Sequence, residues 1–201
     1  MNPLASQIYL FLTTNKTIDR INFAFKGEER IYKVYPSAYK IDVANFIRDE
    51  VIEVKRDNIS SQNYMESDAE YKSGGWSHDT LVFIPTFNIT TPINQGIVIH
   101  ECTHAHIDIQ NIGSHSRFED EATSWLAQAV YLCALKKYET KNKPLLEKCE
   151  DAAIKILSGQ YWVEKDYSVP IIREVAKVYK EANSTTRLYS NGVWRIRFRC
   201  N

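Results

Sequence analysis

The chain has 201 residues, with 25 Lys and Arg against 25 Asp and Glu, and 44% hydrophobic side chains. That length suits one domain with a sizeable core, residues 1–201, and the balanced charge leaves no basic excess to attract a phosphate backbone, so nucleic acid is not an expected partner. No apolar run approaches the roughly 18 to 20 residues that a membrane-crossing helix needs, so no membrane span is expected.

The N-terminal stretch MNPLASQIYLFLTTNKT has no basic residue before its apolar part, and Lys16 follows it. That order is unlike a signal peptide, so the cytoplasm is the favoured compartment, with secretion without such a peptide as the alternative. Asn15, Asn58, Asn88 and Asn183 open glycosylation sequons that matter only in a eukaryotic secretory setting. Residues 3–25 and 38–51 carry helical apolar spacing, while RIYKVY and VIEVKRD have strand character. Gly74 and Gly75 mark a turn before Leu81–Ile84, a strand that Pro85 either restricts to a sheet edge or ends.

Ile93 to Gln110 has no internal proline and places apolar side chains at Ile97, Ile99, Ala105, Ile107 and Ile109, which predicts a helix with Gly113 as its stop. A second helix follows in SHSRFEDEATSWLAQAVYLCALKK. Ser116 and Glu119 stand at capping-box spacing there, and Trp125, Ala129 and Leu132 supply a buried face. Two more helices are predicted, one from Pro144 to a C-cap at Gly159, the other capped by Ser168 with Pro170 in its first turn. The terminal NGVWRIRFRC alternates as a half-buried strand after an Asn-Gly turn, and its Arg195, Arg197 and Arg199 form a solvated face. Cys102, Cys133, Cys149 and Cys200 include no CxxC pair and read as reduced, structural thiols.

Within the Ile93–Gln110 helix, His100 and His104 stand one turn apart on one face, so both imidazoles can reach one metal ion. Glu101 is rotated by roughly 60° from His104, where a general base for a metal-activated water belongs. Zinc suits three protein ligands and an open position, and it lowers the pKa of bound water toward about 7. Cys102 and His106 are each rotated by about 200° from the nearer ligand histidine and cannot share its metal; His106 reads as a surface or hydrogen-bonded histidine, and His115 as an exposed turn residue. The third ligand has two candidates. After the first helix runs about 9 Å beyond His104, a return from Ser116 recovers about 7.5 Å at Glu121 but only about 4.5 Å at Glu119. Glu121 is therefore preferred, and Glu119 is assigned to the cap.

HECTH followed by EATSW resembles the gluzincin branch of zinc metallopeptidases, the thermolysin-like group with two histidines and a downstream glutamate. More closely, HECTHAHID and ExxSW are similar to small bacterial proteins that carry an HExxHA…D…ExxAY run. The resemblance covers about residues 80–133. It implies an α+β, zincin-like fold in which the active-site helix lies beneath a small sheet with an edge strand, ahead of a helical C-terminal half. It also implies His100, His104 and Glu121 as ligands to Zn2+, with Glu101 as base. The metzincin third histidine would fall at Gln110, and Trp125 stands where thermolysin has an aspartate supporting a ligand histidine; Asp108 is the candidate for that support. Tyr161, Tyr167, Tyr179, Tyr189 and Arg187 are all candidates for stabilising an oxyanion, and the sequence does not choose among them. The expected function is a zinc-dependent metallopeptidase acting on a peptide or protein that adds as a strand along Thr80–Ile84. Two alternatives stand beside it: a metal-dependent amidase acting on cell-wall peptide, and a non-catalytic zinc-binding interaction or toxin-like module.

Overall fold

Asn2 begins the first helix, α1 (Pro3–Thr14), by accepting the Ala5 N–H on its side chain at 2.9 Å. In this computed structural model, which describes residues 1–28, 30–59, 68–74, 78–110, 116–136 and 144–183, that helix is shorter than its apolar spacing predicts. The Asn15 side chain accepts the Thr17 N–H at 2.8 Å and starts a separate 3-10 turn, Lys16–Arg20, instead of continuing the α-helix. Strands β1 (Phe23–Lys26) and β2 (Ile31–Val34) then form an antiparallel hairpin with Phe23 opposite Val34 and Lys26 opposite Ile31.

Ala38–Val43 winds as a π-helix and runs directly into α2 (Ala44–Arg48). Strands β3 (Ile52–Arg56), β4 (Ala69–Lys72) and β5 (Asp79–Phe83) form a second sheet in the order β3-β5-β4. β5 runs parallel to β3 and antiparallel to β4. It is therefore the central strand, paired on both sides, and Pro85 ends it without marking an edge. The edge beside the helical layer is β4.

The long helices are α3 (Pro92–Ile109), α4 (Arg117–Ala134), α5 (Pro144–Leu157) and α6 (Lys165–Asn183). Thr91 caps α3 by accepting the Asn94 N–H, and Pro92 occupies the first turn, where its missing N–H would have had no intrahelical partner. Gly159, at φ 105°, adopts the left-handed conformation expected just past α5. α6 begins at Lys165, ahead of Ser168, because the Glu164 carbonyl already accepts the N–H groups of Tyr167 and Ser168. The Ser168 hydroxyl donates instead to the Lys26 carbonyl. Between α5 and α6 a short β6 (Trp162–Val163) pairs parallel to β1 and extends the hairpin to three strands.

The architecture is mixed α+β, with two small sheets and a helical C-terminal half. Among the described residues no helix is long and apolar enough to cross a membrane. Gly96 faces Gln128 and Leu132, whereas His104 faces Asp120, so α3 and α4 run antiparallel in close contact. Ile99, Cys102 and Ala105 on α3 and Leu126, Ala129 and Val130 on α4 join one core with Ile8, Leu12, Phe23 and Phe25. Burial of that kind, at about 25 cal/mol per Å2 of apolar surface, holds the two helices in fixed register. Gly75, Gly113, His115, Arg187, Tyr189, Cys200 and the predicted terminal strand with Arg195, Arg197 and Arg199 lie outside the described residues.

Candidate metal centre

The α3 face turned toward α4 carries His100 and His104, and α4 answers with Glu121. The two Nε2 atoms lie 3.1 Å apart, and Glu121 Oε2 lies 3.5 Å from His100 Nε2 and 3.6 Å from His104 Nε2. Tetrahedral zinc with ligand distances of about 2.0 to 2.1 Å separates its donor atoms by about 3.3 Å, so this triangle is close to what the ion requires. All three side chains are buried and form a group that could hold a metal ion. The geometry thus selects Glu121 over Glu119.

The tautomer fits as well. His104 Nδ1 donates to Asp120 Oδ1 at 2.9 Å, with Ser124 Oγ at 3.3 Å from the same nitrogen. With its proton on Nδ1, the ring presents the Nε2 lone pair to the cluster. Asp120, not Asp108, is therefore the supporting carboxylate. The His104 ring is turned toward α4, whereas Asp108 lies toward β4 and accepts the Tyr71 hydroxyl at 2.7 Å. His100 has no such support. Its Nδ1 is buried without a hydrogen-bond partner, and its ring packs against Trp125 in an edge-to-face arrangement with centroids 4.8 Å apart.

Charge gives an independent test of fit. Glu101, Glu119, Asp120 and Glu121 are only 3%, 3%, 5% and 1% exposed. Both Glu121 oxygens are buried with no hydrogen bond. Carboxylates in this setting cost several kcal/mol each unless paired or bound to a cation, and a divalent ion between two imidazoles and Glu121 meets that need. Burial by itself raises the Glu121 carboxyl, but the two adjacent histidines outweigh it and hold the group well below the usual carboxylate range.

Glu101 stands beside the triangle. Its Oε2 accepts the Tyr71 N–H of edge strand β4 at 2.8 Å. Burial pushes its pKa up, against the opposing pull of His100 and His104. Glu119 faces away from the cluster. Ser116 is the N-cap of α4 but makes no side-chain cap, and the Glu119 carboxylate instead accepts the Glu28 N–H at 2.7 Å and the Tyr32 hydroxyl at 3.0 Å. The expected capping box is thus replaced by a bond to the β1–β2 hairpin, whose donors come from residues distant in sequence. Burial and the Glu119 carboxylate both push the Tyr32 phenol far above its ordinary range.

Several other predicted residues fall outside this centre. His106 is fully buried, with Nε2 3.1 Å from the Lys33 carbonyl and its ring edge-on to Tyr35. It is the hydrogen-bonded histidine of the two readings. Cys102 is buried in the core, where desolvation raises its thiol. Tyr161 packs against Trp162, and Tyr167 carries the Lys155 ammonium over its ring. Tyr179 lies under the Arg117 guanidinium, at the α4 end that bears Glu121. Asp120 and Tyr71 were not singled out from the sequence. Asp120 carries no periodic signal, being one of three consecutive acidic residues with three different partners.

Comparison of the chain with protein-family models, with curated proteins and with solved structures finds no match. The chemistry of the site is accordingly argued from its own geometry.

Proposed function

We propose that this chain is a zinc-dependent hydrolase, a gluzincin-type metallopeptidase with a zincin-like fold. The observation that carries the reading is the triangle of His100 Nε2, His104 Nε2 and Glu121 Oε2 with the buried carboxylate of Glu101 beside it. Two imidazoles and one carboxylate suit zinc and leave a coordination position open. Zinc held there supplies Lewis acidity, activating water and polarising the scissile carbonyl.

The protein side of the reaction falls to named residues. Glu101 takes a proton from the attacking water and returns it to the leaving amine. Asp120 holds His104 in the tautomer that keeps Nε2 free. β5 is already paired on both sides, so the substrate strand would add at β4, the edge strand that meets Glu101 through Tyr71.

The depth of the site favours a second reading, a zinc centre kept for stability, since His100, His104 and Glu121 are at most 5% exposed. Glu101 separates the two, because a structural site has no use for a general base. Purified wild type is expected to carry about one zinc per chain, measured by elemental analysis. Glu101→Gln is expected to keep that zinc and lose hydrolysis of unfolded protein or muropeptide by about a hundredfold or more. Hydrolysis unchanged in the variant would remove Glu101 from the mechanism, and zinc lost with it would make Glu101 a ligand. Which of the two substrates is turned over distinguishes peptidase from cell-wall amidase.

A further inference from the structure

The tip of the β1–β2 hairpin meets α4 at Glu119. This carboxylate is 3% exposed and receives two directional hydrogen bonds, one from the Glu28 backbone and one from the Tyr32 hydroxyl. The hairpin backbone approaches so closely that a Cβ on Gly27 would lie 2.3 Å from Glu119 Oε2 and 2.5 Å from its Cδ. Two residues further along α4 stands Glu121, rotated by about 200° and turned toward α3. The first turn of α4 is therefore held between the hairpin on one side and the metal cluster on the other.

We propose that Glu119 is a positioning residue for the metal centre. Resting on the metal reading above, the inference is that the hairpin's grip on Glu119 fixes the rotation and axial position of the α4 end from which Asp120 and Glu121 reach the two histidines. Neither Glu121 oxygen makes a hydrogen bond and the Ser116 side chain does not cap the helix, so apart from the bond of Asp120 to His104 the first turn is held at Glu119. Binding constellations must be held to about 0.5 Å by supporting contacts, and loss of an outer partner typically weakens a metal by about 10- to 100-fold. Glu119 acts through the backbone of α4 on both carboxylates at once.

Gly27 provides an independent lever, 92 positions away in sequence. Its backbone lies outside the left-handed region, so alanine is compatible with its conformation, and the added methyl acts by expelling the Glu119 carboxylate. The test is zinc affinity, measured by competition with a chromophoric chelator on the full chain at a temperature where each variant is folded by circular dichroism. Glu119→Ala and Gly27→Ala are each expected to weaken zinc by about 10- to 100-fold. The double variant should be no weaker than the worse single one, because both changes remove the same contact. Glu119→Gln, whose side-chain carbonyl can still accept the Glu28 N–H, should retain most of the affinity. Ile8→Val, a loss of core packing in α1, should lower the melting temperature and leave zinc affinity where it was.

A role confined to stability would move melting temperature but not the affinity of the folded protein. Zinc affinity within twofold of wild type in both folded Glu119→Ala and Gly27→Ala overturns the proposal, as does equal weakening in Ile8→Val. If Glu119→Ala does not fold, Gly27→Ala against Glu119→Gln decides in the same terms. Wild type that binds no zinc overturns the metal reading and this inference together, whereas wild type that binds with the variants unmoved overturns this inference alone.

Discussion

Glu121 presents two buried oxygens that no protein donor satisfies, next to two imidazole nitrogens 3.1 Å apart. Such a residue is costly as part of a metal-free core and inexpensive as a ligand. Glu121→Ala is therefore expected to abolish stoichiometric zinc at micromolar concentrations, while chelator-treated variant melts no lower than chelator-treated wild type; zinc retained after dialysis would move the third ligand elsewhere. At this scale the grouping of His100, His104 and Glu121 was legible, the two histidines because one helix fixes their angles and Glu121 because helical rise sets its level. Asp120 and Glu119 were not. Which partner a carboxylate finds depends on elements that sequence spacing does not place, and here they were the His104 ring and a hairpin tip.

At the scale of elements, β4 is pinned to α3 at one residue. Tyr71 donates its N–H to Glu101 and its hydroxyl to Asp108, so a single strand position fixes the sheet edge against the helix. Tyr71→Phe removes only the second bond and is expected to cost about 0.5 to 1.5 kcal/mol of stability, more if Asp108 is left without another partner. Amide exchange at β4 should accelerate, and zinc content should stay at wild-type level. Exchange unchanged at β4 would show that Asp108 does not hold the edge. The strand sequences of β2 and β3 were legible from their composition, and β5 from its apolar run between the Gly74–Gly75 turn and Pro85, but the position of β5 in its sheet was not. Pro85 is compatible with an edge strand and with a strand end, and only the pairing with both β3 and β4 distinguishes them. The helical spacing of residues 3–25 misled for a local reason, the Asn15 side chain, which offers the backbone a competing hydrogen bond.

Across the whole molecule, the group that could hold a metal ion lies between α3 and α4 within the core, so an ion bound there would be coupled to the fold. A ligand at 100 times its dissociation constant stabilises the native state by about 2.7 kcal/mol, and chelation should lower the melting temperature accordingly. The thiols report the same coupling. Burial pushes Cys102 and Cys149 well above the usual thiol range, and Cys133, half-buried, up to about 11. At neutral pH the zinc-loaded protein is expected to protect Cys102 and Cys149 from alkylation, read by peptide mass, and chelator should speed their labelling. Labelling at equal rates with and without chelator would separate the metal from global stability.

The contact between Gly27 and Glu119 has a consequence for synthesis. A chain that has emerged from the ribosome only as far as α3 already displays both imidazoles of HECTH, yet lacks every carboxylate of α4. Such a pair favours copper over zinc by intrinsic affinity. The third ligand, and the grip that orients it, arrive only when the middle of the chain folds back onto a hairpin made from its beginning. The complete three-donor group is thereby assembled only when long-range folding is nearly done.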